Sequence, residues 1–202
     1  EGDFTRDQEA LREEQLVRRT VFTEFSRRLA AVTENNKTGN KEDQPTVPPI
    51  SPMWADLRFD FGSAPIFYPL RQLHFQNADF ASATFYGPAD FFGATFHGDT
   101  SFSAAQFTAD ATFHSASFAD WVGFSAAHFA GAAEFSGARF ADAASFATVT
   151  FTGEADFSDA VFSAAADFAV ASFESDANFS RLNTTGIASF AAVTFDGKAV
   201  FT

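Results

Sequence analysis

The sequence contains no cysteine, one methionine, two tryptophans and two tyrosines among its 202 residues. Without cysteine the chain can form neither disulfide bonds nor thiolate metal sites. It also lacks any apolar run near the ~18 residues of a membrane-spanning helix, and no charged-then-apolar signal segment opens it. We expect a cytoplasmic location, although the absence of cysteine alone does not identify the compartment. The chain begins with Glu1 and stops at Thr202 inside a repeat, so we expect a piece of a longer protein, which leaves membrane attachment through other segments open.

Positive charge is scarce in the second part of the chain. Residues 78–202 hold 14 acidic residues but only three basic ones, Arg139, Arg181 and Lys198, and the whole chain has a net charge of −13. An acidic surface repels the phosphates of nucleic acids. Direct binding of DNA or RNA by this part is therefore not expected.

Phenylalanine, in contrast, is abundant, with 30 residues in the chain, and along the last 125 residues it recurs at alternating steps of six and five. Numbered from Ala78, the eleven-residue unit reads A-x-F-x-x-A-x-F-x-x-x. Position 3 is Phe in 12 of 12 units, and position 8 is Phe in 10 of 11, with Thr184 as the exception. Short units of fixed length bury their apolar face only against their neighbours, so the repeat predicts a solenoid.

The spacing within the unit also predicts the size of one coil. Positions 1 and 6, each two residues before position 3 or 8, are Ala in 10 of 12 and 8 of 11 units. This spacing places Ala and Phe on one face of an extended segment, while positions 2, 4, 7 and 9 point outward. A coil of one unit has no room for two facing rings, whereas two units make an all-β, four-sided coil of 22 residues. Position 10 is Gly in six of eleven units, which predicts a corner with positive φ or a bulge.

Four segments follow from the composition along the chain. Residues 1–36 are predicted to contain an amphipathic helix, because a capping box precedes an apolar stripe over residues 5–34. Residues 37–52 are polar and Pro-rich and are predicted to be a linker. Residues 53–77 are apolar without periodicity, which is typical of a solenoid cap, and residues 78–202 form the repeat itself. We expect the helix to pack on its own solenoid or on a second copy of the chain.

Five pentads resemble those of the bacterial pentapeptide-repeat proteins: 78-ADFAS-82, 89-ADFFG-93, 155-ADFSD-159, 166-ADFAV-170 and 177-ANFSR-181. The extra residue in every second pentad makes this chain similar to a Phe-rich, eleven-residue (5+6) variant. The resemblance implies a right-handed quadrilateral β-helix. It also implies a link to type II topoisomerases, since the family includes acidic rods thought to imitate DNA.

The sequence offers no catalytic constellation. Among the histidines His74, His97, His114 and His128, the last three occupy different positions of the repeat and do not share a column. A metal site or a nucleophile–base pair needs converging side chains, and a core filled with Phe leaves no cleft for a reaction. We therefore expect no catalytic, metal-binding or cofactor-binding residues, no cofactor, and no enzyme activity.

Two columns of acidic residues are predicted to adjoin across one corner. One comprises position 11 of alternate units, at Asp110, Glu154 and Asp176, and the other comprises position 2, at Asp90, Glu134 and Asp156. This candidate acidic ridge has two interpretations. It mimics DNA toward bacterial gyrase, or it only keeps the rod soluble and prevents edge-to-edge association.

Outward aromatic residues gather near the start of the repeats. Phe92 and His114 share position 4 in successive coils, His97 and Trp121 belong to the same two units, and Tyr86 lies just before them. Exposed aromatic residues commonly anchor a protein partner. They are the candidate partner-binding residues, unless the helix of residues 5–34 covers them.

One unit breaks the pattern, 177-ANFSRLNTTGI-187, where Leu182 replaces Ala and Thr184 replaces Phe. Local repacking explains it better than a binding notch.

Taken together, the sequence predicts a non-enzymatic interaction or scaffold protein with a protein partner of unknown identity. One alternative is a DNA-mimicking modulator of gyrase, and another is self-assembly into homodimers or fibres through the open C-terminal coil.

Overall fold

A computed structural model describes residues 59–67, 70–71 and 73–202. In these residues, 26 short strands form four parallel sheets along the four sides of a coil. The prediction of an all-β, four-sided solenoid is confirmed, and its right-handed sense stays a prediction. The predicted helix (1–36) and linker (37–52) lie outside the described residues. We number the sides face 1 to face 4 in the order in which the chain crosses them.

Faces 1 and 2 each carry seven strands. The strands of face 1 are β1 (Phe59–Asp60), β4 (Ala78–Asp79), β8 (Thr100–Ser101), β12 (Val122–Gly123), β16 (Ala144–Ser145), β20 (Ala166–Asp167) and β24 (Ala188–Ser189). The strands of face 2 are β2 (Pro65–Ile66), β5 (Thr84–Phe85), β9 (Gln106–Phe107), β13 (His128–Phe129), β17 (Thr150–Phe151), β21 (Ser172–Phe173) and β25 (Thr194–Phe195).

Faces 3 and 4 each carry six strands. The strands of face 3 are β6 (Ala89–Asp90), β10 (Ala111–Thr112), β14 (Ala133–Glu134), β18 (Ala155–Asp156), β22 (Ala177–Asn178) and β26 (Ala199–Val200). The strands of face 4 are β3 (His74–Gln76), β7 (Thr95–His97), β11 (Ser117–Phe118), β15 (Arg139–Phe140), β19 (Val161–Phe162) and β23 (Asn183–Thr184).

The strand register gives the length of a coil directly. Ala111 pairs with Ala133, and Ala133 pairs with Ala155, so equivalent residues are 22 apart, as predicted. The first coil is shorter, since Phe59 pairs with Ala78 at a separation of 19 residues. Strands β1, β2 and β3 fall within 53–77, the segment predicted as the cap. The ladder of parallel strands therefore already begins inside that segment.

Phe side chains fill the interior in four columns. Within a column the rings stack, as for Phe107 and Phe129, whose centroids are 4.4 Å apart with planes 3° from parallel. Between the columns of faces 1 and 3 the rings meet edge to face, as for Phe113 and Phe124 at 5.4 Å and 87°. Both arrangements suit the quadrupole of the ring. Phe135 at the centre is 0% exposed, and each ring buried in this way contributes ~1.5–3 kcal/mol.

The sharp turn of each unit lies at position 5. At each of the twelve positions 5 that the structure describes, from Ser63 to Ala192, φ is positive, and only two of these residues are Gly. The amide of position 6 donates to the carbonyl of position 3 across the turn, as from Ala138 to Phe135 at 3.0 Å. A positive φ at the third of four turn residues is the mark of a type II turn.

The glycines at position 10 have a different role from the one predicted. Among the six position-10 glycines, all within the described repeats, only Gly98 has a positive φ, at 70°. At Gly153 an added Cβ would overlap the backbone carbonyl of Gly131 in the preceding coil. Glycine is therefore favoured at Gly131, Gly153, Gly186 and Gly197, because there the backbones of neighbouring coils approach closely. The prediction of positive φ is wrong for the five position-10 glycines other than Gly98.

Candidate functional site

An outward column at the corner between faces 3 and 4 brings Arg71, Phe92 and His114 together, each at position 4 of its coil. The rings of Phe92 and His114 stack with centroids 5.4 Å apart and planes 16° from parallel. The Cζ atom of Arg71 lies 5.1 Å from the centroid of Phe92, at cation–π distance. We call these three residues the aromatic corner.

Carboxylates on face 3 flank the aromatic corner. The Nε atom of Arg71 lies 3.1 Å from Oδ2 of Asp90, so the guanidinium contacts a ring and a carboxylate at once. Nδ1 of His114 is 2.7 Å from Oγ of Ser136 and 3.7 Å from Oε1 of Glu134. These contacts hold the rings of the corner in fixed positions while they stay partly exposed.

The other predicted partner-binding residues lie at two different corners. Tyr86 follows β5 between faces 2 and 3, where its ring stacks on Phe67 at 5.1 Å, and the two residues are 57% and 46% exposed. His97 ends β7 and Trp121 precedes β12, so both lie between faces 4 and 1. The structure therefore brings together Phe92 and His114 of the five, and separates them from Tyr86.

A groove of about 380 Å³ lies beside Trp121 on the outer surface. Trp121 is 37% exposed. A Cβ added to Gly123 would overlap the six-membered ring of the indole. The ring of Trp121 therefore packs against Gly123 on face 1, at a place where Ser101 and Asp79 carry side chains in the two preceding coils.

The residues of the predicted acidic ridge form two interrupted columns, one on face 3 and one at the corner between faces 2 and 3. Thr112 separates Asp90 from Glu134 along face 3, and Asp156 follows Glu134 directly. In the column formed by position 11, Ala132 separates Asp110 from Glu154, and Asp176 follows Glu154 directly. Near its end, Lys198 and Asp176 line a shallow groove of about 410 Å³ with Glu154 and Asp156.

Most carboxylates of the ridge bind backbone amides of their own chain. Oδ1 of Asp156 accepts a hydrogen bond from the amide of Ser158 at 2.8 Å, and Asp90 does the same for Phe92 at 3.1 Å. Asp110 accepts from the amide of Ala132 at 2.9 Å, and Asp176 from the amide of Lys198 at 2.9 Å. Such side chain–backbone bonds satisfy amides at turns, so these positions have a structural reason to be acidic.

The histidines do not converge on one site. Among the described residues, no group of three or more His, Asp and Glu side chains is arranged to hold a metal ion. Partial burial and the neighbouring His97 lower the pKa of His74.

On the surface, the Arg181 guanidinium binds both carboxylate oxygens of Asp159, at 2.7 and 2.6 Å, and lowers the pKa of Asp159.

The unit that breaks the repeat lies on face 4 of the last complete coil. Thr184 pairs with Phe162 and is exposed, yet Phe162 below it stays 0% exposed. The missing ring therefore does not open the core at Phe162. This geometry is what the interpretation as local repacking requires.

Sequence reasoning missed Arg71 and Phe67. Both lie in the segment predicted as the cap, before the regular period begins. Leu70 is the residue that could have indicated them. It is 1% exposed and occupies the same interior position in its coil as Phe91 does in the next coil. Aligning Leu70 with Phe91 places Arg71 directly below Phe92.

The fold and its exterior define a class of protein, a parallel β-solenoid that presents side chains on a rigid repeat core. Residues 71–117 and 124–171 match the family of pentapeptide repeats (nine copies). The chain is a pentapeptide-repeat protein. No curated protein was found to match the chain. In the part of the chain that the structure describes, no helix has the length and apolar character that crossing a membrane requires.

Proposed function

We propose that the protein is a non-enzymatic interaction scaffold that binds a protein partner through the outer surface of its first coils, with the aromatic corner at the centre. The observation that carries the proposal is the distribution of outward rings. Phe201, 54% exposed in the last coil, belongs to an interior column, where it stacks on Phe179. All the other aromatic rings and imidazoles that face outward among the described residues lie between Phe67 and His128. The Phe interior is the same in the first and the last coils, so packing of the core does not explain why the outward rings cluster in the first coils.

The chemistry of the aromatic corner suits a protein interface. Aromatic and arginine side chains contribute most of the binding energy at protein interfaces. Here Phe92 and His114 are held by Arg71 and Ser136, so little side-chain entropy is lost on binding. The rigid Phe core supports the same conclusion, because the coils present these rings without rearrangement.

Site-specific photo-crosslinking tests the proposal. A benzophenone amino acid replaces Phe92 in one protein and Ser180, at the same column position four coils later, in the matched control. We expect a discrete adduct in extract of the source cells from position 92 and none from position 180. Excess unmodified protein should suppress that adduct, whereas Phe92→Ser, which copies the residue at Ser136, should compete at least ~10-fold less well.

Two results would contradict this proposal. One is the same adduct pattern from positions 92 and 180, since both then sample the surroundings without a site. The other is competition by Phe92→Ser that equals that of the unmodified protein.

The acidic balance favours a second candidate, a DNA-mimicking modulator of gyrase. Residues 129–202 hold nine acidic and three basic residues. Against this candidate stand the interruptions at Thr112 and Ala132, because duplex DNA carries one charge per ~1.7 Å without gaps. A gyrase supercoiling assay at micromolar protein separates the two, since inhibition or protection there would favour mimicry.

Self-association and cytoplasmic location stay predictions. Light scattering over a range of concentrations tests the first of them. A constant monomer mass argues against both a dimer and a fibre.

A further inference from the structure

A closed network of hydrogen bonds surrounds His114 of the aromatic corner. The backbone amide of His114 donates to Oγ1 of Thr112 at 3.2 Å, and that hydroxyl donates to Oε2 of Glu134 at 3.0 Å. The other carboxylate oxygen, Oε1, accepts from Oγ of Ser136 at 3.3 Å, and the same Oγ lies 2.7 Å from Nδ1 of His114. The network therefore begins at the backbone of His114 and ends at its imidazole.

The carboxylate of Glu134 sets the direction of these bonds. An ionised carboxylate only accepts hydrogen bonds, so the hydroxyl of Ser136 donates to Glu134. A serine hydroxyl has one hydrogen, which leaves its oxygen as an acceptor toward His114. The hydrogen bond of 2.7 Å between Ser136 and His114 therefore requires a hydrogen on Nδ1.

Electrostatics favours the same tautomer of His114. Its Nδ1 atom lies 3.7 Å from Oε1 of Glu134. A hydrogen on Nδ1 turns the positive end of the N–H dipole toward the carboxylate, whereas the other tautomer would turn a lone pair toward it. The hydrogen bond that one ring nitrogen makes decides which nitrogen of a neutral histidine carries the hydrogen. Neutral His114 is therefore the Nδ1–H tautomer, and its lone pair lies on Nε2.

The imidazole of His114 is also fixed in its orientation. It stacks on Phe92 with planes 16° from parallel, and the bond from Nδ1 to Ser136 sets the rotation of the imidazole within that plane. The side chain of His114 nevertheless stays 39% exposed, so a partner can reach it. An acceptor that is held in place before binding loses little conformational entropy when it binds.

We propose that Nε2 of His114 accepts a hydrogen bond from an N–H or O–H group of the protein partner that binds the aromatic corner. This inference rests on the proposed function, because it names the chemical group that the partner must supply. A donor of the partner that is buried without its acceptor is penalised, so His114 determines specificity while Phe92 supplies apolar contact. Thr112, Glu134 and Ser136 are positioning residues, since they act through His114.

The tautomer can be measured on the full chain without the partner. At about pH 8, where histidines are ordinarily neutral, a long-range proton–nitrogen NMR spectrum distinguishes the ring nitrogen with the hydrogen from the one with the lone pair. His114→Phe identifies the signals of His114 among those of the four histidines. We expect the Nδ1–H form to predominate and Ser136→Ala to shift the population toward Nε2–H. Ser180→Ala, at the same column position two coils later, should leave the tautomer unchanged. Predominance of the Nε2–H form in the unmodified protein would overturn the inference.

Competition for the adduct at position 92, also at about pH 8, tests the acceptor. His114→Phe keeps a ring that can stack on Phe92 but has no nitrogen, and we expect it to compete ~10-fold less well than the unmodified protein. Ser136→Ala should compete about twofold to fivefold less well, because only part of the His114 population then presents the acceptor. Ser180→Ala should compete like the unmodified protein. Full competition by His114→Phe, or equal effects of the two serine variants, would contradict the inference.

The two proposals fail in different ways. If the adduct at position 92 forms and Phe92→Ser competes poorly, but His114→Phe competes fully, the scaffold proposal stands and the acceptor role of His114 is wrong. If position 92 gives no specific adduct while the spectrum shows the Nδ1–H form, the positioning of His114 stands. In that case the aromatic corner is not the partner surface, and both proposals about the partner are wrong.

Discussion

Two halves of the solenoid, residues 59–128 and 129–202, share one interior but differ on the outside. Both are filled by stacked Phe rings, such as Phe91 with Phe113 and Phe146 with Phe168, at 4.8 and 4.9 Å. The first half carries all the outward aromatic rings and imidazoles of the described chain together with six acidic residues, and the second carries none of these rings and nine acidic residues.

This contrast separates what folding requires from what it does not. The core repeats in both halves because each coil must match its neighbours. The outward rings of the first half contribute little to that match, so their clustering points to recognition. In the second half, four of the nine acidic side chains accept a hydrogen bond from a backbone amide, as Asp156 does from Ser158, so the positions of these four follow from the turns.

The largest expected effect compares one residue type inside and outside. Phe135→Ala, in the interior of the second half, should destabilise the protein by ~3–5 kcal/mol, because it leaves a cavity in a close-packed stack. Phe92→Ala, on the outside of the first half, should cost less than ~1 kcal/mol. Chemical denaturation of both variants provides the test, and equal losses would contradict the inward and outward assignment.

A smaller effect is expected from the approach of neighbouring coils. Gly153→Ala should cost ~1–3 kcal/mol, because its Cβ would overlap the backbone of Gly131. Gly87→Ala in the first half is the matched control, since no atom lies within 4 Å of its added Cβ, and its effect should stay within ~0.5 kcal/mol. Thermal denaturation that ranks the two in reverse order would show that the coil spacing is not tight at Gly153.

A stabilising change is expected in the second half. Val170 is 59% exposed and has a φ of 60°, which is costly for a β-branched residue. Val170→Gly should therefore stabilise the protein by ~1 kcal/mol. The neighbouring Ala169→Gly lacks that strain and should destabilise it by ~0.5–1 kcal/mol. A loss of stability on Val170→Gly in denaturant titration would contradict the turn assigned to position 5.

The smallest effect concerns pH and the first half alone. Burial and His97 lower the pKa of His74 below its ordinary value near 6.5. The unfolded chain then binds a proton more readily, so the stability contributed by neutral His74 is complete above about pH 6.5 and is lost as pH falls through the lower folded pKa. We expect His74→Gln to flatten the dependence of stability on pH between about 7 and 5.

His128→Gln is the matched control for the pH dependence. The ring of His128 reaches Thr152 at 3.2 Å on the surface. If both variants flatten the slope equally, His74 is not its source.

The sequence was sufficient to predict the coil, because the period of the Phe residues determines both the 22-residue length of a coil and the side chains that fill its interior. Turn geometry was not predictable in the same way. Position 5 holds Ala, Ser, Thr, Val or a charged residue in ten of its twelve units. These residue types do not as a group indicate a positive φ. The positive φ was therefore predicted at position 10, where glycine recurs, and not at position 5.

The outer surface was predictable only in part. The shared position of Phe92 and His114 follows from the repeat, and in the structure their ring centroids lie 5.4 Å apart. Arg71 precedes the regular period, so its place below Phe92 depended on the irregular first coil. The groove at Trp121 depends on Gly123 leaving space for the indole, which a glycine in one unit does not reveal without the packing.

Hydroxyl-radical footprinting read by mass spectrometry tests the central claim most directly, because one measurement reports the exposure of every ring. Inside a 22-residue coil, Phe113 and Phe135 should stay unlabelled, while Tyr86, Phe92 and Trp121 should be oxidised in the free protein. Labelling of Phe113 or Phe135 at the rate of Phe92 would contradict both the Phe core and the outward aromatic corner.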